Sequence, residues 1–125
     1  MSNPLAFIIE DDEAHADLFT EALQKAGFEV ERIRDGQVAL SRLADSIPNL
    51  VVLDLHLPHV TGSDILKYIR SDSRLDKTRV VLATADPQTA SFLRTQADLV
   101  LIKPISYFQL RDLAARLRAN DPSSV

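Results

Sequence analysis

Five short apolar runs recur along the chain, and each is followed by a segment whose apolar residues have helical spacing. The runs cover residues 5–9, 28–33, 50–53, 80–83 and 99–102. Apart from the second, they are continuous rather than alternating, which is typical of strands that are covered on both faces. The second run contains Glu29, Glu31 and Arg32, so we expect it to form a more exposed strand at the edge of the sheet.

Residues that favour helix ends mark the boundaries of the helical segments. Asp12 and Glu13 suit the first turn of a helix that reaches Ala26, with Gly27 following its last turn. The other four helices have these start signals: Asp35-Gly36, Thr61-Gly62, Pro87, and a capping box formed by Ser106 and Gln109. The boundaries therefore predict five helices that alternate with five strands.

Strands that alternate with helices favour a parallel sheet with helices on both faces. We predict one α/β domain, a doubly wound five-stranded parallel sheet of the flavodoxin-like (βα)5 type. Right-handed crossovers leave few strand orders for such a sheet. The 125 residues fit a single domain with an ordered core over about residues 4–119. Residues 120–125 have the composition of a frayed tail.

Composition excludes several classes of protein. The sequence contains no cysteine, so disulfides, thiolate catalysis and zinc–thiolate sites are excluded. Its net charge is −4 without a basic cluster, which argues against a nucleic-acid-binding surface. No apolar run approaches the length of a membrane span, and the N-terminus does not look like a signal peptide. We therefore expect a cytoplasmic protein that binds neither nucleic acid nor membrane.

Four of the apolar runs stop at residues that phosphoryl transfer to a carboxylate would need. These residues are Glu10, Asp11 and Asp12 after the first run, Asp54 after the third, Thr84 after the fourth and Lys103 after the fifth. Parallel strands place their carboxyl ends at one edge of the sheet, where open α/β sheets bind ligands. A carboxylate can accept a phosphoryl group, and an ammonium and a hydroxyl could each hold a phosphoryl oxygen. Lys103 and Thr84 are weak signals alone, whereas the combination on successive strand ends is strong.

The acids also have a purely structural interpretation. Acids favour a helix N-terminus, and one of Glu10, Asp11 and Asp12 suffices as a cap. Three adjacent acids repel one another, and a divalent cation such as Mg²⁺, which binds through one or two carboxylates, would relieve that repulsion. Asp54 could be a turn residue, but an apolar segment follows it where a turn is usually polar.

Several longer motifs connect these positions. They are residues 7–12, 35–40, 48–58 and 83–85, Thr61-Gly62 and Lys103-Pro104. Together they cover nearly the whole chain, which resembles a receiver domain of the response regulators in two-component signalling. The resemblance favours strand order 2-1-3-4-5, with the switch point between the first and third strands. It also implies a stand-alone receiver, because no effector domain follows.

The resemblance implies a role for each residue at the strand ends. Glu10 and Asp11 would hold Mg²⁺ (or Mn²⁺), with Asp54 and the backbone carbonyl of His56 as further ligands. Asp54 would be the phosphoacceptor, phosphorylated by a sensor histidine kinase, a phosphotransfer protein or a small phosphodonor. The residues that bind the phosphoryl oxygens would be Thr84 and Lys103, with a cis peptide bond between Lys103 and Pro104. Such a domain switches a protein-interaction surface and is not an enzyme beyond its own phosphorylation and dephosphorylation.

Two departures from the family pattern fall on the fourth helix and the fifth strand. Val100 stands three residues before Lys103, where the family usually has an aromatic residue. The segment between Thr84 and Lys103 is also about one helical turn shorter than in typical members. Since the fifth run is apolar throughout, we expect a partner or a second copy of the chain to dock on helix 4, strand 5 and helix 5.

The three histidines have mostly ordinary interpretations. His15 lies early in the first helix and His59 in the loop after the third strand, so both are expected at the surface. His56 is not expected to be the phosphodonor, because the donor histidine would belong to the kinase partner. His56 follows Asp54 by two residues, so an extended backbone would point it toward the same side as the acceptor. With Asp86 on the neighbouring strand end, it could flank the water that hydrolyses the aspartyl-phosphate and make dephosphorylation depend on pH.

Two other functions remain open on the sequence alone. Phosphohydrolases of the dehalogenase-like group also use an aspartate nucleophile, but they carry two acids as Asp-x-Asp at the end of the first strand. The first-strand acids here are adjacent, Asp54 lies on a later strand, and there is no cap segment for a substrate. A receiver-like interaction module that is never phosphorylated is the other possibility, and the complete set of acids, threonine and lysine argues against it.

Overall fold

The computed structural model describes residues 3–119. Within them the strands are β1 (Leu5–Ile9), β2 (Glu29–Ile33), β3 (Leu50–Asp54), β4 (Arg79–Thr84) and β5 (Leu99–Ile102). The helices are α1 (Glu13–Lys25), α2 (Gly36–Asp45), α3 (Gly62–Ser71), α4 (Pro87–Leu93) and α5 (Tyr107–Ala119), with a 3₁₀ turn at Ser73–Leu75. The strands are parallel in the order β2-β1-β3-β4-β5, which confirms the predicted fold class and strand order. The predicted tail at residues 120–125 lies outside the described residues.

The sheet is buried between two layers of helices, because successive strand residues point to opposite faces. On one face, Phe7 belongs to a cluster with Leu43 of α2 and Ile65 of α3. On the other face, Ile8 belongs to a cluster with Phe19 of α1. Burial of each such side chain contributes roughly 1.5–3 kcal/mol to folding. The two clusters therefore fix the strands, and with them the polar residues at the strand ends.

Side-chain hydrogen bonds cap the helices, and apart from Asp86 of α4 the caps are residues that the sequence placed at the helix starts. The caps are Asp12 for α1, Asp35 for α2, Thr61 for α3, Asp86 for α4 and Ser106 for α5. Pro87 occupies the first turn of α4, and Gly27 has a φ of 100°, which lets the chain turn from α1 into β2. Among residues 3–119, no helix is both long and apolar enough to cross a membrane.

The prediction that the continuous runs are covered on both faces is wrong for β5. Every residue of β3 is buried, whereas Leu99 is 36% exposed and Ile102 is 39% exposed. The physical reason is the length of α4, whose 7 residues cover less of the edge strand than the 13 residues of a helix such as α1 would cover.

One arginine ties the connection between α4 and β5 to the body of the domain. Nε of Arg70, at the end of α3, donates to the carbonyl oxygen of Gln96 at 2.7 Å, and its guanidinium pairs with Asp98 at 3.0 Å. Asp98 also accepts a hydrogen bond from the backbone N–H of Val80 in β4 at 2.7 Å. These contacts hold the start of β5 against β4 although α4 is short.

Candidate functional site

The carboxyl ends of β1, β3, β4 and β5 lie at one edge of the sheet, as predicted. The register pairs Asp54 with Ala83 and Thr84 with Ile102, which sets the last three of these strand ends side by side. An open cleft lies over this edge. It is lined by the predicted site residues Glu10, Asp11, Asp54, His56 and Lys103. Asp12 and His15, to which the resemblance assigned no role, also line it. The fold therefore brings together acids from two strands and the lysine from a third.

Glu10 is held in the floor of the cleft directly after β1. Its side chain is almost fully buried, Oε1 accepts a hydrogen bond from Lys103 Nζ at 3.0 Å, and Oε2 accepts one from the Asp12 N–H at 3.2 Å. Burial raises the pKa of the Glu10 carboxyl to about 7; Lys103 offsets part of this effect, and the nearby Asp54 carboxyl adds to it. A buried carboxyl with a perturbed pKa that faces a charged partner in a cleft is typical of functional sites.

Asp54 and Lys103 form the second close charged pair. Asp54 is only 4% exposed, and its Oδ1 accepts a hydrogen bond from the His56 N–H at 3.2 Å. Lys103 Nζ lies 3.5 Å from the same oxygen. Burial alone would lower the pKa of Lys103, but the hydrogen bond to Glu10 and the charge of Asp54 outweigh it and raise that pKa. The ammonium group therefore stays charged at neutral pH, and the peptide bond between Lys103 and Pro104 is cis, as predicted.

Three carboxylates in the cleft are close enough to share one cation. Glu10, Asp11 and Asp54 each offer an oxygen, and these oxygens lie within 4.8 Å of one another. Two of the three side chains are buried and Asp11 is exposed, so a cation could enter from solvent on the Asp11 side. An all-oxygen set suits a hard cation such as Mg²⁺ or Mn²⁺. The backbone of His56, the further ligand that the resemblance implies, lies beside Asp54 in this cleft.

A glycine at the start of α3 lets that helix pack directly on the backbone of the acceptor strand. A Cβ atom at Gly62 would lie 2.5 Å from the carbonyl oxygen of Asp54 and 2.6 Å from Cα of Leu55. The Gly62 N–H also donates to the Leu55 carbonyl oxygen at 3.2 Å. The Thr61-Gly62 motif therefore does more than start a helix: it sets the position of the backbone that carries Asp54.

Thr84 and Asp86 are placed differently from the acids. Thr84 is fully buried at the end of β4, and its hydroxyl oxygen accepts a hydrogen bond from the Asp86 N–H at 3.1 Å, which leaves the hydroxyl proton to donate elsewhere. The Asp86 carboxylate accepts hydrogen bonds from the Thr89 hydroxyl at 2.6 Å and the Gln88 N–H at 3.0 Å. These bonds, the one from Thr89 foremost, lower the pKa of Asp86. Its carboxylate thus caps α4 and lines a neighbouring hollow with Phe92.

The histidines differ in their contacts. His59 is largely exposed, as expected, but its Nδ1 lies 2.8 Å from the Asp35 carboxylate, and this hydrogen bond lowers the pKa of Asp35. His56 is exposed at the rim of the cleft. The interpretation of His15 as an ordinary surface residue is incomplete: its side chain is 45% exposed, yet Nδ1 lies 3.4 Å from Lys103 Nζ. The first turn of α1 starts at the strand end that carries the acids, so Glu13 and His15 line the cleft.

Comparison with known proteins identifies the family of the chain. A family model described as the response regulator receiver domain matches residues 6–117. The chain belongs to the response regulator receiver domain family. The receiver domain is 35% identical over 118 residues to the probable methanogenesis regulatory protein FilR2 of Methanothrix harundinacea, covering 86% of this chain and 76% of that protein. The phosphohydrolase and the interaction module that the sequence left open are not favoured.

Two further similarities concern length and fold. The receiver domain is 35% identical over 115 residues to the DNA-binding response regulator MtrA of Mycolicibacterium paratuberculosis, covering 90% of this chain but 48% of MtrA. It thus spans about half the length of that relative. The structure of the phosphorylated cyanobacterial phytochrome response regulator RcpA superposes with a TM-score of 0.79 at 26% identity, over 99% of this chain and 97% of RcpA. These matches identify a signalling domain of the two-component type.

Proposed function

We propose that Asp54 is the phosphoacceptor of this receiver domain. It would be phosphorylated by the phosphohistidine of a sensor histidine kinase or phosphotransfer protein, or by a small phosphodonor. The observation that carries the proposal is the position of the Lys103 ammonium, 3.5 Å from Asp54 Oδ1 and 3.0 Å from Glu10 Oε1. Phosphoryl transfer needs charge neutralisation and positioning more than a strong base. The phosphorylated form of RcpA is a precedent within the family for this modification.

The transfer itself follows from the chemistry of a carboxylate nucleophile. An oxygen of Asp54 forms the new P–O bond while the P–N bond to the donor histidine breaks, and the electron pair of that bond leaves with the donor imidazole. Lys103 and the hydroxyl of Thr84 each bind one phosphoryl oxygen. The product carries about one more negative charge than the free carboxylate, together with three acceptor oxygens. That change of charge is the signal that the domain passes to a partner.

A magnesium ion fits the acids of the cleft. Glu10, Asp11 and Asp54 would hold Mg²⁺ (or Mn²⁺), with the backbone carbonyl of His56 as a further ligand. When bound, such a cation would supply positive charge to offset that of the phosphoryl group. The direct test of the proposed function is incubation with Mg²⁺ and acetyl phosphate, followed by intact-mass measurement and mapping of the modified residue.

We further propose that His56 tunes the lifetime of phosphorylated Asp54. The imidazole is exposed at the rim of the cleft, and its charge contributes to lowering the pKa of Asp86, after the hydrogen bonds from Thr89 and Gln88. Together His56 and Asp86 would flank the path of the attacking water. Because the Asp86 carboxylate caps α4, it would act mainly through its electrostatic interaction with the His56 imidazole.

The variant His56→Ala is expected to lose phosphate more slowly than wild type, by roughly threefold, at about pH 8, where histidine side chains are mostly neutral and can orient water. The measurement is the decay of the phosphorylated mass after removal of the donor. The variant His59→Asn is the matched control, since asparagine tolerates the left-handed φ of 70° at that position. Equal decay in His56→Ala and wild type would leave His56 with a backbone role alone.

We also propose that the receiver domain forms a homodimer through α4, β5 and α5. The side chain of Phe92 on α4 is 87% exposed, and Leu99 and Ile102 lie partly uncovered on β5, the strand that α4 contacts. Apolar groups of this size on a thinly covered sheet edge favour burial against a second copy. The kinase or phosphotransfer protein would be a separate, transient partner at the cleft.

The dimer is expected to appear in sedimentation velocity at high protein concentration and to increase with a phosphoryl mimic. The variant Phe92→Ser should shift the equilibrium to monomer by roughly tenfold, because it removes one large apolar side chain from the interface. Val38→Ser is the matched control, since Val38 is also exposed but lies on α2. A wild-type chain that stays monomeric with and without the mimic contradicts the dimer.

A further inference from the structure

The ammonium group of Lys103 has a third contact besides Glu10 and Asp54. Nδ1 of His15 lies 3.4 Å from Lys103 Nζ, while Glu10 Oε1 and Asp54 Oδ1 lie at 3.0 Å and 3.5 Å. A lysine ammonium carries three donor protons and no acceptor. Three acceptors therefore match three protons: two carboxyl oxygens and one imidazole nitrogen.

We propose that His15 is a positioning residue for Lys103: its unprotonated Nδ1 accepts a hydrogen bond from the ammonium group and holds that group in the cleft for phosphoryl transfer. The role of Lys103 in binding phosphoryl oxygens rests on the proposed function. The hydrogen bond between His15 and Lys103 belongs to the free protein and can be tested independently.

The distances around Nδ1 favour the acceptor role. The carboxylate oxygens that a protonated Nδ1 could donate to are farther away, Glu10 Oε1 at 3.7 Å and Asp12 Oδ1 at 3.8 Å. Lys103 Nζ is thus the nearest polar partner of this nitrogen among the contacts of the described residues. Because an ammonium cannot accept a hydrogen bond, its contact requires a lone pair on Nδ1, which places the ring proton on Nε2.

The ring of His15 is held by packing, so the direction of Nδ1 is set. It stacks on Phe19 one turn along α1, with ring centroids 6.1 Å apart and planes inclined by 13°. The Lys103 side chain, in contrast, is a flexible four-carbon stem with freely rotating donors, and loses considerable rotamer freedom when it is fixed. A fixed, uncharged acceptor on the α1 side of the cleft reduces the volume that the ammonium group samples. Unlike Glu10, it does so without being a cation ligand itself.

Two variants separate the acceptor of His15 from its ring. His15→Phe keeps an aromatic ring against Phe19 and removes the acceptor, while His15→Asn loses the ring but places an amide oxygen near the position of Nδ1. We expect phosphorylation by acetyl phosphate with Mg²⁺ to slow by about fivefold in His15→Phe, the rate equivalent of one net hydrogen bond. In His15→Asn it should return to within about twofold of wild type. His59→Asn, which changes a histidine in the loop after β3, should match wild type.

A second measurement uses the free protein without metal or phosphodonor. Nitrogen NMR of the imidazoles at about pH 8.5, where histidine side chains are neutral, should show His15 mainly as the Nε2–H tautomer. In Lys103→Met the Nδ1–H tautomer should increase, because Glu10 and Asp12 then become the acceptors nearest to Nδ1. A structural role of the ring alone would leave the tautomer unchanged in Lys103→Met.

The outcomes distinguish this inference from the proposed function. A dominant Nδ1–H tautomer in wild type, or a His15→Phe variant that is phosphorylated at the wild-type rate, overturns the positioning role. If wild type takes up no phosphoryl group while the tautomer still responds to Lys103→Met, the hydrogen bond stands and the phosphoacceptor function fails.

Discussion

The variant Asp54→Asn is expected to show no mass increase after incubation with Mg²⁺ and acetyl phosphate, while the wild-type chain gains one phosphoryl group. An amide has the shape of the carboxylate but lacks its nucleophilic oxygen, so the loss should be complete rather than partial. The fold should persist, because the substitution removes one of two acids that crowd each other beside Lys103. Thermal unfolding followed by circular dichroism checks that point.

The matched control for this experiment is Asp76→Asn, the same change at an exposed carboxylate after the 3₁₀ turn. That variant should gain one phosphoryl group as wild type does. A mass increase that persists in Asp54→Asn and maps to another carboxylate in both proteins would refute the assignment of the acceptor.

The variant Asp11→Asn is expected to lose both metal binding and phosphorylation. Asp11 is the exposed member of the three acids, so its replacement removes a cation ligand without disturbing the core. Since even groups that only support metal ligands change affinity by roughly 10–100-fold, a direct ligand should matter at least as much. Mn²⁺ binding followed by electron paramagnetic resonance gives the affinity, and intact mass gives the phosphorylation.

The neighbouring acid offers a close control. Asp12→Asn removes the same charge one residue away and keeps the cap of α1, because asparagine caps a helix about as well as aspartate does. It should bind Mn²⁺ nearly as wild type does. Equal phosphorylation of wild type in Mg²⁺ and in excess chelator would show that the acids do not act through a cation.

The sequence predicted the strands closely because continuous apolar runs and helix caps act locally. β1 and β5 have the predicted bounds, and Asp12, Asp35, Thr61 and Ser106 cap helices where the pattern placed them. The exposure of β5 was harder to foresee in full, because it depends on how much of the sheet α4 covers. The 3₁₀ turn at Ser73–Leu75 was missed, since three residues are too few to show a period.

The site was predictable where it depends on strand ends, and less so where the chain leaves them. The rule that alternate residues share a face holds only within a strand, and Asp86 already lies in the turn that caps α4. His15 was missed as a cleft residue for a similar reason. Side chains in the first turn of a helix lean toward its N-terminus, so His15 leans back toward Glu10 and Lys103. The position of His15 in the first turn of a predicted helix, directly after the acids, was therefore a signal in the sequence that it lies near the cleft.

The short α4 has a consequence for how such a domain can diverge. The residues placed in phosphoryl transfer lie at the ends of strands or in the first turn of α1, and α4 supplies none of them. Its 7 residues and the loop tied down by Arg70 can therefore be shortened, lengthened or resurfaced without altering the groups that receive the phosphoryl group. In this architecture, the residues that take up the phosphoryl group can be retained while the surface that contacts the downstream partner changes. A lineage can therefore acquire a new downstream partner while keeping the same kinase.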